Sequence, residues 1–367
     1  MVSEGELRCD LWGFHDGAFR RQRVGKEEAI VPFKPNRVRV GDILDGLRAA
    51  ANVTETIAPP AFLDAPGMDA GNYLALRNGV LDVASGALLP HSPRFFNLWA
   101  ADYDFDPGAE APAWEKFLDD LFDDDLESRS TLEEVLDLFL VPVTKYQKLF
   151  LIVGPRRAGK GVIGRLVPKL IGSRAVTTPM IETLGESFGL ANLVGKSVAV
   201  IGDVRLKANA EEVAGSLLMI SGEDGVTVNR KHKKQEDMTL RVRFLMLSNE
   251  LPHLNDPSGA FSSRFVVLQL RESFLGREDN DLDEKLAAEC PGILNRSLAD
   301  LRRLRERGRF IQSSAGSDAI EALETLASPH KVFLRERCEE GPNFSVDCSR
   351  LYEAWVDWCK ENGRSFP

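Results

Sequence analysis

The sequence predicts an α/β protein, a central parallel sheet flanked by helices, with a small α/β or helical region before it and a helical region after it. Three observations carry that prediction. Four apolar runs, 149–153, 198–204, 244–249 and 265–270, alternate with helix-patterned stretches between Lys145 and Arg271, and such alternation places helices on both faces of a sheet. The runs are nearly continuous in Val, Ile, Leu and Phe, as in strands buried on both sides. The turn after the first run is Gly-rich and opens directly into a stretch with helical apolar spacing, 162–171.

Length and composition set the outer bounds. A chain of 367 residues holds two or three domains. With 43% hydrophobic and 28% charged residues it has the composition of a globular protein. No apolar run approaches a membrane span, and MVSEGELRCD is no signal peptide, so no membrane partner is expected and a cytoplasmic location is. The five cysteines, Cys9, Cys290, Cys338, Cys348 and Cys359, form no C-x-x-C pair; zinc is not expected, and reduced thiols are. A net charge of −10 excludes a general nucleic-acid coat, so any DNA contact must come from local basic clusters.

In chain order, residues 1–70 read as the small N-terminal region, with a Pro-containing stretch at Ala58-Pro59-Pro60. Residues 71–144 read as short strands followed by helices. Two strands are expected in 73–93 around the turns Asn78-Gly79 and Ser85-Gly86. A helical pattern runs from Ala113 to Leu140, interrupted by the acidic run Asp119–Asp125, which is expected to be a solvated face. Residues 145–275 form the α/β core. Residues 276–367 read as helices, with the stripe Leu351, Tyr352, Trp355 and Trp358 assigned to packing. The chain stops at Ser365-Phe366-Pro367 without a closing element, the pattern of a truncated protein.

The Gly-rich turn is Gly154-Pro155-Arg156-Arg157-Ala158-Gly159-Lys160-Gly161. Its G-x-x-x-x-G-K spacing is that of a phosphate-binding P-loop. Glycines let backbone N–H groups approach a triphosphate, the helix adds its positive N-terminal end, and Lys160 reaches the β/γ-phosphates. The hydroxyl that usually follows the lysine and ligates Mg²⁺ is missing, because Gly161 and then Val162 stand there. Water or an acid elsewhere must then carry more of the metal.

Three further motifs follow. The strand 198–204 ends in Asp203, at the edge where open α/β sheets place ligand chemistry; its neighbours Gly202 and Val204 are not acidic. The strand 244–249 ends in Asn249, either a γ-phosphate and water contact or a turn residue. Arg264 stands between a Gly/Ser loop and a strand, either an arginine finger or a surface residue. Between the second and third motifs, two β-prone runs flank Arg230-Lys231-His232-Lys233-Lys234. A hairpin with this basic tip contacts a nucleic-acid backbone, or is a solvated turn.

The order of P-loop, single-acid strand, basic hairpin, Asn-ended strand and Arg resembles the superfamily 3 helicases, a compact AAA+ branch of viruses, phages and plasmids. It is most similar to the helicase part of phage/plasmid-type primases and the related poxvirus primase-helicase. Residues 73–93 are similar to the segment before that helicase core, and the C-terminal stretch to the start of its trailing helical or winged-helix region. The resemblance implies an AAA+ P-loop core using ATP and Mg²⁺ in a homo-oligomeric, hexameric ring that translocates on single-stranded DNA in a bacterial or archaeal host. It implies Lys160 as the phosphate lysine, Asp203 as the metal acid, Asn249 as sensor and Arg264 as the finger acting on a neighbour's site. Arg230, Lys231, His232, Lys233 and Lys234 become DNA contacts. Primer synthesis is expected on another segment or on a separate primase or polymerase. Two other classes stay open: a non-helicase AAA+ DNA-binding or packaging accessory factor with weak ATPase, and a nucleotide kinase, which would need a second phosphoryl acceptor.

Overall fold

The computed structural model describes residues 4–24, 27–54, 57–65, 67–204, 210–231, 234–252, 262–327, 329–339 and 341–362. The chain divides into two compact units, Met1–Ala61 and Phe62–Pro367.

The first unit is α1 (Glu4–His15), β1 (Phe19–Val24), β2 (Glu27–Pro32) and α2 (Arg37–Ala50). β1 and β2 pair as an antiparallel hairpin. Asn36 caps α2, its Oδ1 accepting the Arg39 N–H at 3.0 Å, which satisfies one of the orphan donors of the first turn. Val40 and Leu44, one turn apart on α2, are its buried apolar residues.

β3 (Ala61–Phe62) leads into the second unit, where β4 (Tyr73–Leu76), β5 (Gly79–Asp82) and β6 (Ala87–Leu89) make an antiparallel meander. The region thus carries three strands where the sequence suggested two; the Ser85-Gly86 turn leads into a third, exposed strand. β7 (Phe95–Phe96) follows, then α3 (Pro112–Phe122) and α4 (Leu126–Phe139). The acidic run does more than face solvent: its first half ends α3, residues 123–125 separate the two helices, and Asp125 caps α4 by accepting the Ser128 N–H at 3.0 Å.

α4 departs most from its sequence pattern. Glu133, Glu134 and Asp137 are all buried, where acids on a helix ordinarily face solvent. The helix Cys290–Arg307 answers the two glutamates: Arg296 reaches Glu133 at 3.0 Å and Arg307 reaches Glu134 at 2.5 Å. Burial raises the Asp137 carboxyl far above the ordinary carboxylate range.

The core is a five-stranded parallel sheet in the order β14-β8-β13-β10-β9. These strands are β8 (Leu149–Val153), β9 (Val176–Thr177), β10 (Val198–Ile201), β13 (Arg243–Ser248) and β14 (Phe265–Gln269). Alternate residues serve two cores. Phe150, Ile152, Val200, Leu245 and Val266 face one apolar layer with α3, α4, α5 (Lys160–Ile171), α7 (Leu282–Ala288) and α8 (Cys290–Arg307). Leu151, Ala199, Met246 and Val267 face the other, with α6 (Ala210–Ser221) and α9 (Ser314–Ala327). Burial on both faces explains why the strands read as unbroken apolar runs. The free edge of β14 is closed by Gln312, whose Nε2 donates to Val267 O at 2.6 Å and whose Oε1 accepts the Val267 N–H at 3.1 Å.

β11 (Gly225–Val228) and β12 (Glu236–Thr239) form the antiparallel hairpin expected around the basic tip. At the C-terminus, α10 (Pro329–Arg337) and α11 (Cys348–Glu361) share a small core of Phe333, Trp358 and Cys359. Trp355 stacks on Trp358 at 5.5 Å between centroids. Tyr352 departs from the packing stripe and stands 53% exposed. None of the five cysteines is in a disulfide. Among the described residues, no helix is long and apolar enough to cross a membrane.

Candidate functional site

β8 runs into the turn 154–159, and α5 leaves it at Lys160. The glycines at the ends of that turn are sterically required. A Cβ at Gly154 would lie 2.8 Å from both Leu270 Cβ and Leu270 O. Gly159 has φ +83°, and a Cβ there would meet Leu121 Cδ2 at 3.0 Å and Phe117 Cε2 at 3.2 Å. The turn therefore rests on α3 from one side and on the segment after β14 from the other. That segment also holds its backbone: the Ser273 hydroxyl donates to Arg156 O at 2.9 Å, and the Phe274 N–H donates to Arg157 O at 3.0 Å. Arg157 itself is left-handed, with φ 62°.

Two features of this turn bear on what it could hold. The N-cap of α5 is Gly159, and no side chain caps it, so the first-turn N–H groups have no side-chain acceptor. The Lys160 ammonium folds back onto Gly154 O and Pro155 O, at 2.6 Å each. Partial burial pulls its pKa below the usual lysine value. Pro155, Arg156, Arg157 and Gly161 are exposed, Ala158 is buried and Val162 is half-buried. A Cβ at Gly161 would meet only the Arg165 guanidinium, at 2.9 Å, and that side chain is held by Asp283 at 2.8 Å.

Sheet order brings the other candidates to the same edge. β13 lies between β8 and β10, with Ser248 paired to Val153 and Met246 to Ile201. Beyond the strands, the Gly154 N–H donates to Ser248 O at 3.2 Å and the Val204 N–H to Leu247 O at 3.2 Å. Gly154, Asn249 and Asp203 therefore emerge side by side at the C-terminal edge. Asn249 and Asp203 are both exposed. Asp203 has φ 50°, a left-handed conformation uncommon for a residue other than glycine and concentrated at functional sites. Among the described residues, no group of three or more His, Cys, Asp or Glu side chains could hold a metal ion.

Ser248 ties this edge together. It is 2% exposed, and its hydroxyl lies within hydrogen-bond reach of Glu250 O and, at 3.3 Å, of Val204 O. It locks the turn carrying Asn249 to the residue after Asp203. Nothing local in the sequence marks that role, nor that of Phe117 and Leu121 beneath Gly159, because each depends on which strand or helix lies alongside.

Arg264 is elsewhere. It precedes β14, at the N-terminal edge of the sheet, and its Nη1 donates to Ser221 Oγ at 3.2 Å and Leu218 O at 3.5 Å in the last turn of α6. It is not part of the cluster formed by its own chain. On the hairpin, Arg230 is half-buried and ion-paired with Glu236, while Lys231 and Lys234 are exposed. His232 and Lys233 lie outside the described residues.

Two families match parts of the chain. Residues 152–264 match a family of unknown function (DUF5906), and residues 39–123 match the family described as D5 N terminal like. The first segment runs from within β8 to Arg264, and so contains the candidates just described. Among solved structures, the A form apo structure of the NrS-1 C terminal region is similar at 14% identity and a TM-score of 0.51, over 97% of this chain and 80% of that one. A second A form structure of that region matches at 16% identity and a TM-score of 0.50, and a further apo structure at 15% and 0.51. Each of these two covers 74% of this chain and 72% of the other. At such identities the likeness is one of fold.

Proposed function

We propose that the chain is a replication protein of the phage primase-helicase type and, more finely, an ATP-dependent superfamily 3 DNA helicase with an AAA+ P-loop core. The D5 N terminal like match and the fold of the NrS-1 C terminal region support the broader class. The observation that carries the finer reading is the shared sheet edge, where the 154–161 turn, Asn249 and Asp203 emerge from adjacent strands. Open α/β sheets bind ligands at that edge.

The turn fits a triphosphate. Its uncapped helix N-terminus offers N–H groups, and Lys160 trades two backbone carbonyls for the β/γ-phosphates. Mg²⁺ usually takes one or two protein carboxylates and completes its shell with phosphate oxygens and water. Asp203 alone meets that need, which accommodates the missing hydroxyl at Gly161 and Val162. Asn249 positions the attacking water. Arg264, remote from its own chain's cluster, reaches the site of the next subunit in a hexameric ring. Arg230, Lys231, His232, Lys233 and Lys234 present the hairpin to the backbone of single-stranded DNA.

The lone carboxylate and absent hydroxyl favour one other reading, an AAA+ DNA-binding or packaging accessory factor with weak ATPase. ATP hydrolysis measured with and without single-stranded DNA, for the chain and for Lys160→Ala, separates them. The helicase reading expects stimulation by the strand and a loss of about a hundredfold or more in the variant, the order seen when one transition-state donor is removed. Equal rates in both proteins contradict it. Slow, Lys160-dependent hydrolysis indifferent to DNA assigns the accessory role.

A further inference from the structure

We propose that the outward face of the β1–β2 hairpin is a second contact surface for single-stranded nucleic acid, separate from the β11–β12 hairpin. The cross-strand pairs Phe19–Pro32, Arg21–Ile30 and Arg23–Glu28 define one face, because directly paired residues project to the same side. Every one of these six residues is exposed. On the opposite face Arg20, Ala29 and Val31 are half-buried, so the hairpin packs on that side and leaves the first open. Phe19 is 67% and Ile30 72% exposed, which places an aromatic ring in solvent one position before Arg21 on this face and an aliphatic side chain directly across from that arginine.

Charge decides the occupant. Residues 17–41 hold seven Arg and Lys against two Glu, in a chain whose net charge is −10. Some of those cations are used internally: Arg39 donates to Lys34 O at 2.7 Å and lies over the Phe33 ring at 5.8 Å, and Arg20 bonds Gln22 at 2.7 Å. Arg21 and Arg23 project from the open face, with Glu28 its one acid among the paired residues. They stand about 7 Å apart along the strand. An exposed ring leading a row of guanidiniums can stack a base and follow a phosphate backbone without reading sequence. A second copy of this chain would bring like charges together here. The helicase reading enters only in the choice of a DNA strand as probe.

The test is fluorescence anisotropy of a labelled oligo-dT against the full chain without nucleotide, across a salt series. Arg21→Ala with Arg23→Ala should weaken binding and flatten the log–log salt slope by about 1.4, since each phosphate contact on a single strand contributes about 0.7. Phe19→Ala should weaken binding about fivefold or more, the loss of one stacked base. Parent-like affinity and slope in both variants overturn the proposal. So does unchanged DNA binding with reduced self-association in sedimentation, which would give the face to a second copy. Lys231→Ala with Lys234→Ala probes the other hairpin; a loss confined to that variant ends this proposal and leaves the helicase reading standing.

Discussion

Lys160 and Arg243 both bond backbone carbonyls, at opposite ends of the same sheet, and they hold those carbonyls in different ways. Arg243 begins β13 and is 3% exposed. Its guanidinium donates to Leu138 O at 2.7 Å and to Ser197 O at 2.9 and 3.1 Å, and also reaches Val141 O and Ser197 Oγ. It lies over the Phe139 ring at 5.8 Å. With so little solvent near it, burial drags its pKa down to about 9. Lys160 is half-buried, and its two carbonyl partners belong to the turn it leaves. The first cation joins the end of α4 to β10 and β13. The second rests on acceptors that an anion with more charge can replace. A buried cation with several fixed partners is architecture; one parked beside an uncapped helix N-terminus is the one the proposed function assigns to a ligand.

The contrast can be broken from either side. The largest expected effect is on stability. Arg243→Met should lower the free energy of unfolding in urea by roughly 3 kcal/mol or more, because each buried carbonyl left without a donor costs about 1–3 kcal/mol. A parent-like midpoint would mean that those carbonyls find other donors and that Arg243 locks nothing. Lys160→Ala in the same experiment should change stability by under about 1 kcal/mol while removing the hydrolysis expected above.

The smallest effect is at Gly161. Unlike Gly154 and Gly159, whose missing side chains make room for Leu270, Phe117 and Leu121, Gly161 has only the guanidinium end of Arg165 nearby. Gly161→Thr should leave the Mg²⁺ concentration needed for half-maximal hydrolysis unchanged or lower it. A marked rise would show that the turn needs glycine at this position too.

Much of this molecule was legible in its sequence. The strands β8, β10, β13 and β14 announce themselves because both faces are buried, and the helix after Gly159 follows from its apolar spacing. The hairpin was readable from two β-prone runs around a charged tip. The meander was partly legible: β6 is exposed throughout, so no apolar alternation signals it. What stayed hidden is non-local. That β13 separates β8 from β10, and so sets Asn249 between the turn and Asp203, is a property of strand order and not of any motif. The burial of Glu133 and Glu134 required Arg296 and Arg307 from a helix far along the chain. Arg243 reads as one charge among several in Arg241-Val242-Arg243, and only the packing of α4 shows which arginine is enclosed.

In the proposed function Lys160 leaves Gly154 O and Pro155 O for a triphosphate. Thermal unfolding of the chain and of Lys160→Ala, each with saturating ATP and Mg²⁺, tests it most directly. A ligand that binds only the folded state adds about 2.7 kcal/mol at a hundredfold excess over Kd. The parent should therefore melt at a clearly higher temperature with nucleotide, and the variant should not. An equal rise in both proteins, or no rise in either, would contradict the claim.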